Sequence, residues 1–219
     1  MGKWIGRLCI LLGVFCLLGA LGLVLRNRWE AKKAGETSRN MVESVGNSIL
    51  ANREGAFSQS ETDNPDETVG AVAEMQETVP AEMQETVPEE MPTVEVDGEK
   101  CIGILSIPVL GLELPVLTDW SYEKLKQAPC LYYGSYYEPN FVIAAHNYAS
   151  HFGRLSQLQP GDLVTFTDVN GRVYSYEVAL LETLPKEATE VMITGGFDLS
   201  LYTCTTGGGS RVTVRCIGK

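Results

Sequence analysis

The sequence has only two histidines, His146 and His151, and none of its six cysteines forms a C-x-x-C pair. So thin a set of donors excludes the usual zinc-ligand spacings, and neither a metal nor a cofactor is expected. Basic charge is also scarce. Lys and Arg total 17 against 28 Asp and Glu, for a net charge of -11. A nucleic-acid footprint needs a basic face, so nucleic acid is excluded as a partner. No repeat unit reaches the 20 residues or more of a solenoid. Disulfide-forming context is weak too. Cys9 and Cys16 lie in an apolar run, and Cys101, Cys130 and Cys216 sit in apolar strand contexts that read as small core residues. A disulfide among those three is the alternative in an exported protein.

The charge that is present is unevenly spread. Residues 1–33 are basic, 34–100 strongly acidic and 101–219 close to neutral. Leu8 to Leu25 is an unbroken run of apolar and glycine residues. At 1.5 Å rise per residue, a run of about 18 residues just crosses a hydrocarbon core of ~30 Å. It is too long for a signal-peptide core and ends directly in Arg26-Asn27-Arg28, so it reads as an uncleaved anchor contacting lipid. No lipobox-like Leu-small-small-Cys occurs. Basic residues flank both ends, and the excess after Leu25 leans against an exported C-terminal part by the positive-inside rule.

These shifts divide the chain into an anchor (1–33), an acidic stem (34–98) and a folded domain (99–219). The stem has few apolar residues and many acids, so ordering it would cost more than burial returns. Met41 to Leu50 has the pattern of a short helix. Two identical octads, Ala73–Pro80 and Ala81–Pro88, follow, and a proline in each breaks any continuous helix. They read as a spacer, extended by self-repulsion. The composition break near Asp97-Gly98 marks the start of a domain expected to fold and work alone.

That domain alternates in short strands. Cys101–Ile107 and Leu114–Leu117 are separated by a Pro-Gly turn region, and Asn140–Ala145 is a buried strand. Leu163–Thr167 and Arg172–Leu181 flank Asn170-Gly171, a strong hairpin signal. A short helix is expected over Trp120–Gln127, capped by Thr118 or Asp119, and another over Phe152–Leu158. Tyr132, Tyr133, Tyr136 and Tyr137 are candidates to line a groove. Seven or eight short strands with few helices point to an all-β, closed-barrel fold.

The most informative stretch is Leu199–Cys204, the glycine-rich tip Thr206–Ser210, and Arg211–Cys216. Both arms alternate with period 2. A hairpin closing on the tip sets Cys204 opposite Arg211, Tyr202 opposite Thr213 and Ser200 opposite Arg215. Those six share one face. Leu199, Leu201, Thr203, Val212, Val214 and Cys216 form the core face. A thiol becomes a nucleophile as the thiolate, which a cation favours and a base can generate. Arg211 supplies the cation, and His146, at the end of a buried strand, is the candidate base.

Three segments resemble the sortase family of cysteine transpeptidases. Ile102–Val116 resembles its opening strands. Asn140–Tyr148, with His151-Phe152-Gly153 and Gly161-Asp162, resembles its histidine segment. Ser200-Leu201-Tyr202-Thr203-Cys204 with Arg211 resembles its T-L-x-T-C…R signature. Ser200 stands where Thr is usual, and Ala145 where Gly commonly precedes the histidine. The resemblance implies a closed eight-stranded β-barrel and catalytic roles for His146, Cys204 and Arg211. It also implies a catalytic domain outside the cell membrane. The implied partners are secreted proteins bearing an LPxTG-like sorting signal, and an amine acceptor from a peptidoglycan precursor or a pilin. The chain has no L-P-x-T-G of its own, which reads as enzyme and not substrate. The alternatives are a stalked, non-catalytic β-barrel binding module with an inert Cys204, or another cell-wall cysteine peptidase. The Tyr202-Thr203 before Cys204 does not match the Ser-x-Gly that L,D-transpeptidases place there.

Overall fold

The structure, a computed structural model, describes residues 2–59 and 90–219. The octads, and the stem expectation over 60–89, lie outside the described residues. The described elements are α1 (Gly2–Gln59), β1 (Val94–Val96), β2 (Glu99–Ile107), β3 (Leu112–Leu117), α2 (Tyr122–Leu125), β4 (Cys130–Tyr133), β5 (Phe141–Ala144), β6 (Leu163–Asp168), β7 (Val173–Pro185), α3 (Thr189–Ile193), β8 (Leu199–Cys204) and β9 (Ser210–Gly218).

The strands run β2-β3-β4-β5-β8-β9-β7-β6, and β6 pairs back onto β2. This is the expected closed eight-stranded barrel, and closure leaves no long sheet edge. β1 adds a short ninth strand to the start of β2, just before β6 takes over that flank. β3–β4 and β5–β8 are parallel, and the other pairs antiparallel. Closure depends on Gly103, at the crossing of β2 and β6, where a Cβ would collide with the Thr167 carbonyl. The predicted hairpin turns at Asn170-Gly171, and its Asn170 and Arg172 N–H groups donate to Asp168 Oδ1. Alternate side chains of the strands fill the interior, with Leu105, Phe141, Ile143, Phe166, Leu199 and Leu201 fully buried.

Two short helices differ from expectation in their ends. α2 is capped by Ser121, whose Oγ accepts the Lys124 N–H at 3.1 Å. Asp119, an expected cap, instead pairs with the Lys124 ammonium at 2.9 Å. The helix expected over Phe152–Leu158 is a single 3-10 turn, Leu155–Gln157, and Leu158 is already extended two residues before Pro160.

The larger difference lies in α1. Sparse apolar content from residue 34 onward suggested an unpacked stem, yet α1 continues to Gln59 and its second half lies on the barrel. Ala34, Ser38, Met41, Val45 and Ile49 fall on one helical stripe and are all buried. Met41, Val45 and Ile49 pack against Val96, Leu117 and Ala128. Too few apolar residues lie outside this stripe to raise the average hydropathy, which is why composition missed it. Polar contacts fix the register along the helix. Ser150 Oγ donates to the Ala31 carbonyl at 3.0 Å, and Asn52 Nδ2 to the Val169 carbonyl at 3.0 Å.

At the centre of this interface, the Ser38 hydroxyl donates to the Gln127 carbonyl at 2.8 Å and lies 3.0 Å from His151 Nε2. A hydroxyl has one proton to give, so Nε2 carries the hydrogen that Ser38 accepts. His151 Nδ1 is then the acceptor nitrogen, buried and without a partner among the described residues. Burial, with the neighbouring His146 adding to it, pushes the His151 pKa down from 6.5 to about 4.

Two outcomes follow from this interface. A fragment spanning 90–219 leaves the Val96–Leu117–Ala128 surface bare. Docking Met41, Val45 and Ile49 there contributes on the order of 2–4 kcal/mol after the cost of ordering the helix. In calorimetry the 90–219 fragment should therefore melt about 10 °C or more below a 30–219 fragment. Equal melting temperatures would remove α1 from the folded unit. The second outcome is pH dependence. Because His151 is held neutral in the folded state, its contribution is fully present above pH 6.5. It is lost as pH falls through about 4, a change of about 3 kcal/mol. His151→Gln keeps a donor for Ser38 but cannot titrate. Its melting temperature should fall less between pH 7 and pH 4 than that of the wild type.

Candidate active site

β8 and β9 pair as the alternation requires: Cys204 opposite Arg211, Tyr202 opposite Thr213 and Ser200 opposite Arg215. The tip between them is closed by Thr205, whose N–H donates to the Ser210 carbonyl and whose carbonyl accepts from Gly208. Gly207 and Gly208 both take positive φ there, which glycine adopts without steric cost. Leu199, Leu201, Val214 and Cys216 point into the barrel. Cys204 ends β8 with its side chain exposed, on the opposite face.

His146 reaches the same end of the barrel by a different route. β5 runs parallel to β8, with Ala144 opposite Tyr202. The register continues past the strand, since the Ala145 N–H donates to the Tyr202 carbonyl at 3.2 Å. The buried Thr203 hydroxyl then donates to the Ala145 carbonyl at 2.8 Å. Thr203 therefore pins the peptide that leads into His146, one residue before the thiol on the neighbouring strand. The His146 ring is half-buried and stacks on Tyr148, 4.0 Å between centroids. Its Nδ1 is buried without a partner among the described residues. Burial, and then the Lys126 ammonium, hold its pKa below 6.5, which keeps the ring neutral at pH 7.

Arg211 donates through Nη1 to the Gly208 and Ser210 carbonyls, both at 3.1 Å. These bonds aim the guanidinium along the hairpin tip. Among the described residues it makes no ion pair, so its remaining donors and its charge face the cleft. Cys204 and Arg211 line that cleft with Trp120, Tyr132, Ala145 and Met192. Two of the three sequence-predicted site residues, Cys204 and Arg211, thus come together in one cleft, while His146 follows Ala145 beyond the end of β5 and is not among the residues that line it. No cluster of three or more metal-ligating side chains occurs among the described residues.

The other three cysteines of the folded domain behave as core. Cys101, Cys130 and Cys216 are buried free thiols. Burial pushes Cys101 up to about 11, and Cys130 and Cys216 up to about 12. They stay protonated at neutral pH.

Two cleft residues, Trp120 and Met192, were not singled out from the sequence. Trp120, Tyr132 and Tyr202 form a chain of packed rings, 5.6 Å and 5.1 Å between centroids. Of the four tyrosines offered as groove candidates, Tyr132 lines the cleft and Tyr136 is core. Met192, from α3, forms the facing wall. The available signals were Tyr132, one of the four groove candidates, and Tyr202, which the strand alternation sets on the Cys204 face.

A sortase-domain family model matches residues 105–217, which contain His146, Cys204 and Arg211. Among solved structures, sortase C1 from Streptococcus agalactiae is 26% identical, over 57% of this chain and 70% of that one, with a TM-score of 0.50. A sortase D5 transpeptidase from Clostridium perfringens is 20% identical, over 54% of this chain and 79% of that one, with a TM-score of 0.49. A lid mutant of sortase A from Corynebacterium diphtheriae is 21% identical, over 60% and 74%, with a TM-score of 0.48. No curated protein matches the chain. With a family match over more than half its length, the chain belongs to the sortase family.

Proposed function

We propose that the protein is a membrane-anchored cysteine transpeptidase with Cys204 as nucleophile, His146 as acid and base, and Arg211 as oxyanion ligand. The observation that carries this reading is the exposed Cys204 thiol set directly across the hairpin from Arg211. The Thr203–Ala145 bond brings the histidine segment to the same end.

The chemistry runs in two halves. The Cys204 thiolate attacks the carbonyl carbon of the scissile peptide, forming a C–S bond. Arg211 donates to the oxygen as it gains charge, and such donors are typically worth a few kcal/mol. The proton released as the Cys204 thiol becomes a thiolate is taken up by neutral His146, which gives it to the leaving amine as the C–N bond breaks. A thioester remains. The incoming amine then attacks, losing a proton to His146, and the Cys204 sulfur leaves. The depressed His146 pKa suits this second half, since the base must be neutral to accept.

The acyl donor is a secreted protein with an LPxTG-like sorting signal. The acceptor is an amine of a peptidoglycan precursor or a pilin. The most apolar stretch of α1 has a mean hydropathy of 2.1 and none of it is buried in protein, which supports an anchor over 1–33 that spans the membrane once. The catalytic unit, 99–219 with the docked half of α1, lies on the extracellular side.

In a fragment lacking the anchor, a thiol reagent at neutral pH should label Cys204 alone, with Cys101, Cys130 and Cys216 reacting only in denaturant. Labelling of a buried thiol at a similar rate would undo the assignment. Cys204→Ala should abolish cleavage and transfer. Arg211→Lys tests the oxyanion role, because an ammonium keeps the charge but loses the planar fork. It should cost ~10²-fold in kcat/KM, close to the loss for Arg211→Ala. A Lys variant within about threefold of wild type would reduce Arg211 to a source of charge.

A further inference from the structure

Arg215 lies four residues beyond Arg211 on the same face of β9, yet its surroundings are the reverse. It is 1% exposed, the largest fully buried side chain among the described residues. Nε donates to Glu182 Oε1 at 2.7 Å. Nη1 donates to the Met192 carbonyl and to Ser200 Oγ, both at 2.9 Å. Nη2 donates to the Val191 carbonyl at 2.9 Å. Phe197 adds its ring face 5.5 Å from the guanidinium carbon.

Two of those acceptors, Val191 and Met192, are in the last turn of α3. The final carbonyls of a helix have no partner within it. A five-residue helix is also far too short to persist by itself in water. α3 has no basic residue in its last turn and no side-chain cap at its start. Its C-terminal end is held by a guanidinium from another strand. The chain beyond makes room for this: at Gly195 a Cβ would press within 3.3 Å of the Arg215 guanidinium. Glu182, on β7, supplies the countercharge that a buried guanidinium requires.

α3 is also the wall of the cleft. Ala188, Thr189 and Met192 line it opposite Trp120 and Tyr132. We propose that Arg215 is a positioning residue: by capping the end of α3 it holds Met192 and Ala188 against the cleft, and so sets peptide binding without touching a reacting atom. This rests on the reading of the Cys204 cleft as the peptide site. Ser200 belongs to the same device. Its hydroxyl accepts from Arg215, which gives that position of β8 a structural duty separate from the thiol four residues on.

The test uses the full chain in detergent, with Arg215→Lys and Met192→Ala compared to wild type. A Lys can replace one or two of the four bonds and keeps the charge beside Glu182, so the variant retains the buried ion pair. With a sorting peptide, Arg215→Lys should raise KM about tenfold while kcat stays within about threefold. Met192→Ala, which leaves the clamp intact but strips the wall, should also raise KM. The rate of Cys204 labelling by a small thiol reagent should not change in either variant. Amide exchange over residues 189–194 should accelerate in Arg215→Lys and not in Met192→Ala. An unchanged KM in both variants overturns the proposal. So does a joint loss of KM, labelling and melting temperature in Arg215→Lys, which would mark Arg215 as purely structural. The exchange measurement needs no turnover. An inactive wild type with the expected exchange pattern would sink the catalytic reading, whereas an active one without it would sink this inference.

Discussion

The antiparallel register of β8 and β9 is the constraint on which the rest of the site depends. Side chains two apart share a face, so one pairing decides at once which residues enter the barrel and which meet the cleft. In this register Leu199, Leu201, Val214 and Cys216 are core while Cys204 and Arg211 stand together outside it. A slip of one residue would bury the thiol and expose the core face. The loss of apolar burial is what enforces the register that sets Cys204 beside Arg211. The same face carries two arginines with opposite duties. Arg215 gives its donors to Glu182, Ser200 and two helix carbonyls, whereas Arg211 binds only the hairpin tip. An arginine already saturated by protein acceptors cannot stabilise a new anion. One left with unused donors at the edge of a cleft can.

The histidine is delivered by a second, parallel pairing. Parallel strands need a long crossover, and here β6, β7 and α3 intervene between β5 and β8. The pairing is extended beyond the ladder by Thr203, whose hydroxyl reaches the Ala145 carbonyl. That bond is buried, and deleting it would leave an unsatisfied acceptor next to the histidine. It ties the residue before Cys204 to the residue before His146, so the two segments cannot drift apart without breaking it.

α1 links this site to the apolar N-terminal run. The run ends at Leu25, and buried contact with the barrel begins at Ala34, about 14 Å further along the helix by its rise. No proline interrupts it. Glu30 bears on both His146 and Tyr148, and Ser38 binds His151. The helix is therefore part of the surroundings of both histidines, and the charge of His146 is set by groups on α1 and beside α2 as well as by its own burial.

Much of the barrel was legible because period-2 alternation, Asn-Gly and glycine-rich turns are local signals. They placed the β6–β7 and β8–β9 hairpins and the Cys204–Arg211 pair before any tertiary contact was known. The buried run before His146 was equally clear, since its residues are apolar on both faces. In the second half of α1 a helix over Met41–Leu50 was legible, but its docking on the barrel was not. Its stripe of Ala34, Ser38, Met41, Val45 and Ile49 contains small and polar members that count as core only when a complementary surface lies opposite. The role of Arg215 was hidden for the same reason. Alternation put it on the outer face, where a charged residue is expected to be solvated, and only the packing of α3 over that face made it the most buried arginine in the domain. Local sequence thus determined the strands, their faces and the chemistry of the hairpin, because those follow from periodicity and turn geometry over a few residues. Tertiary structure alone decided which helices cover the barrel and which charged groups are buried. Those outcomes depend on surfaces contributed by residues distant in the chain.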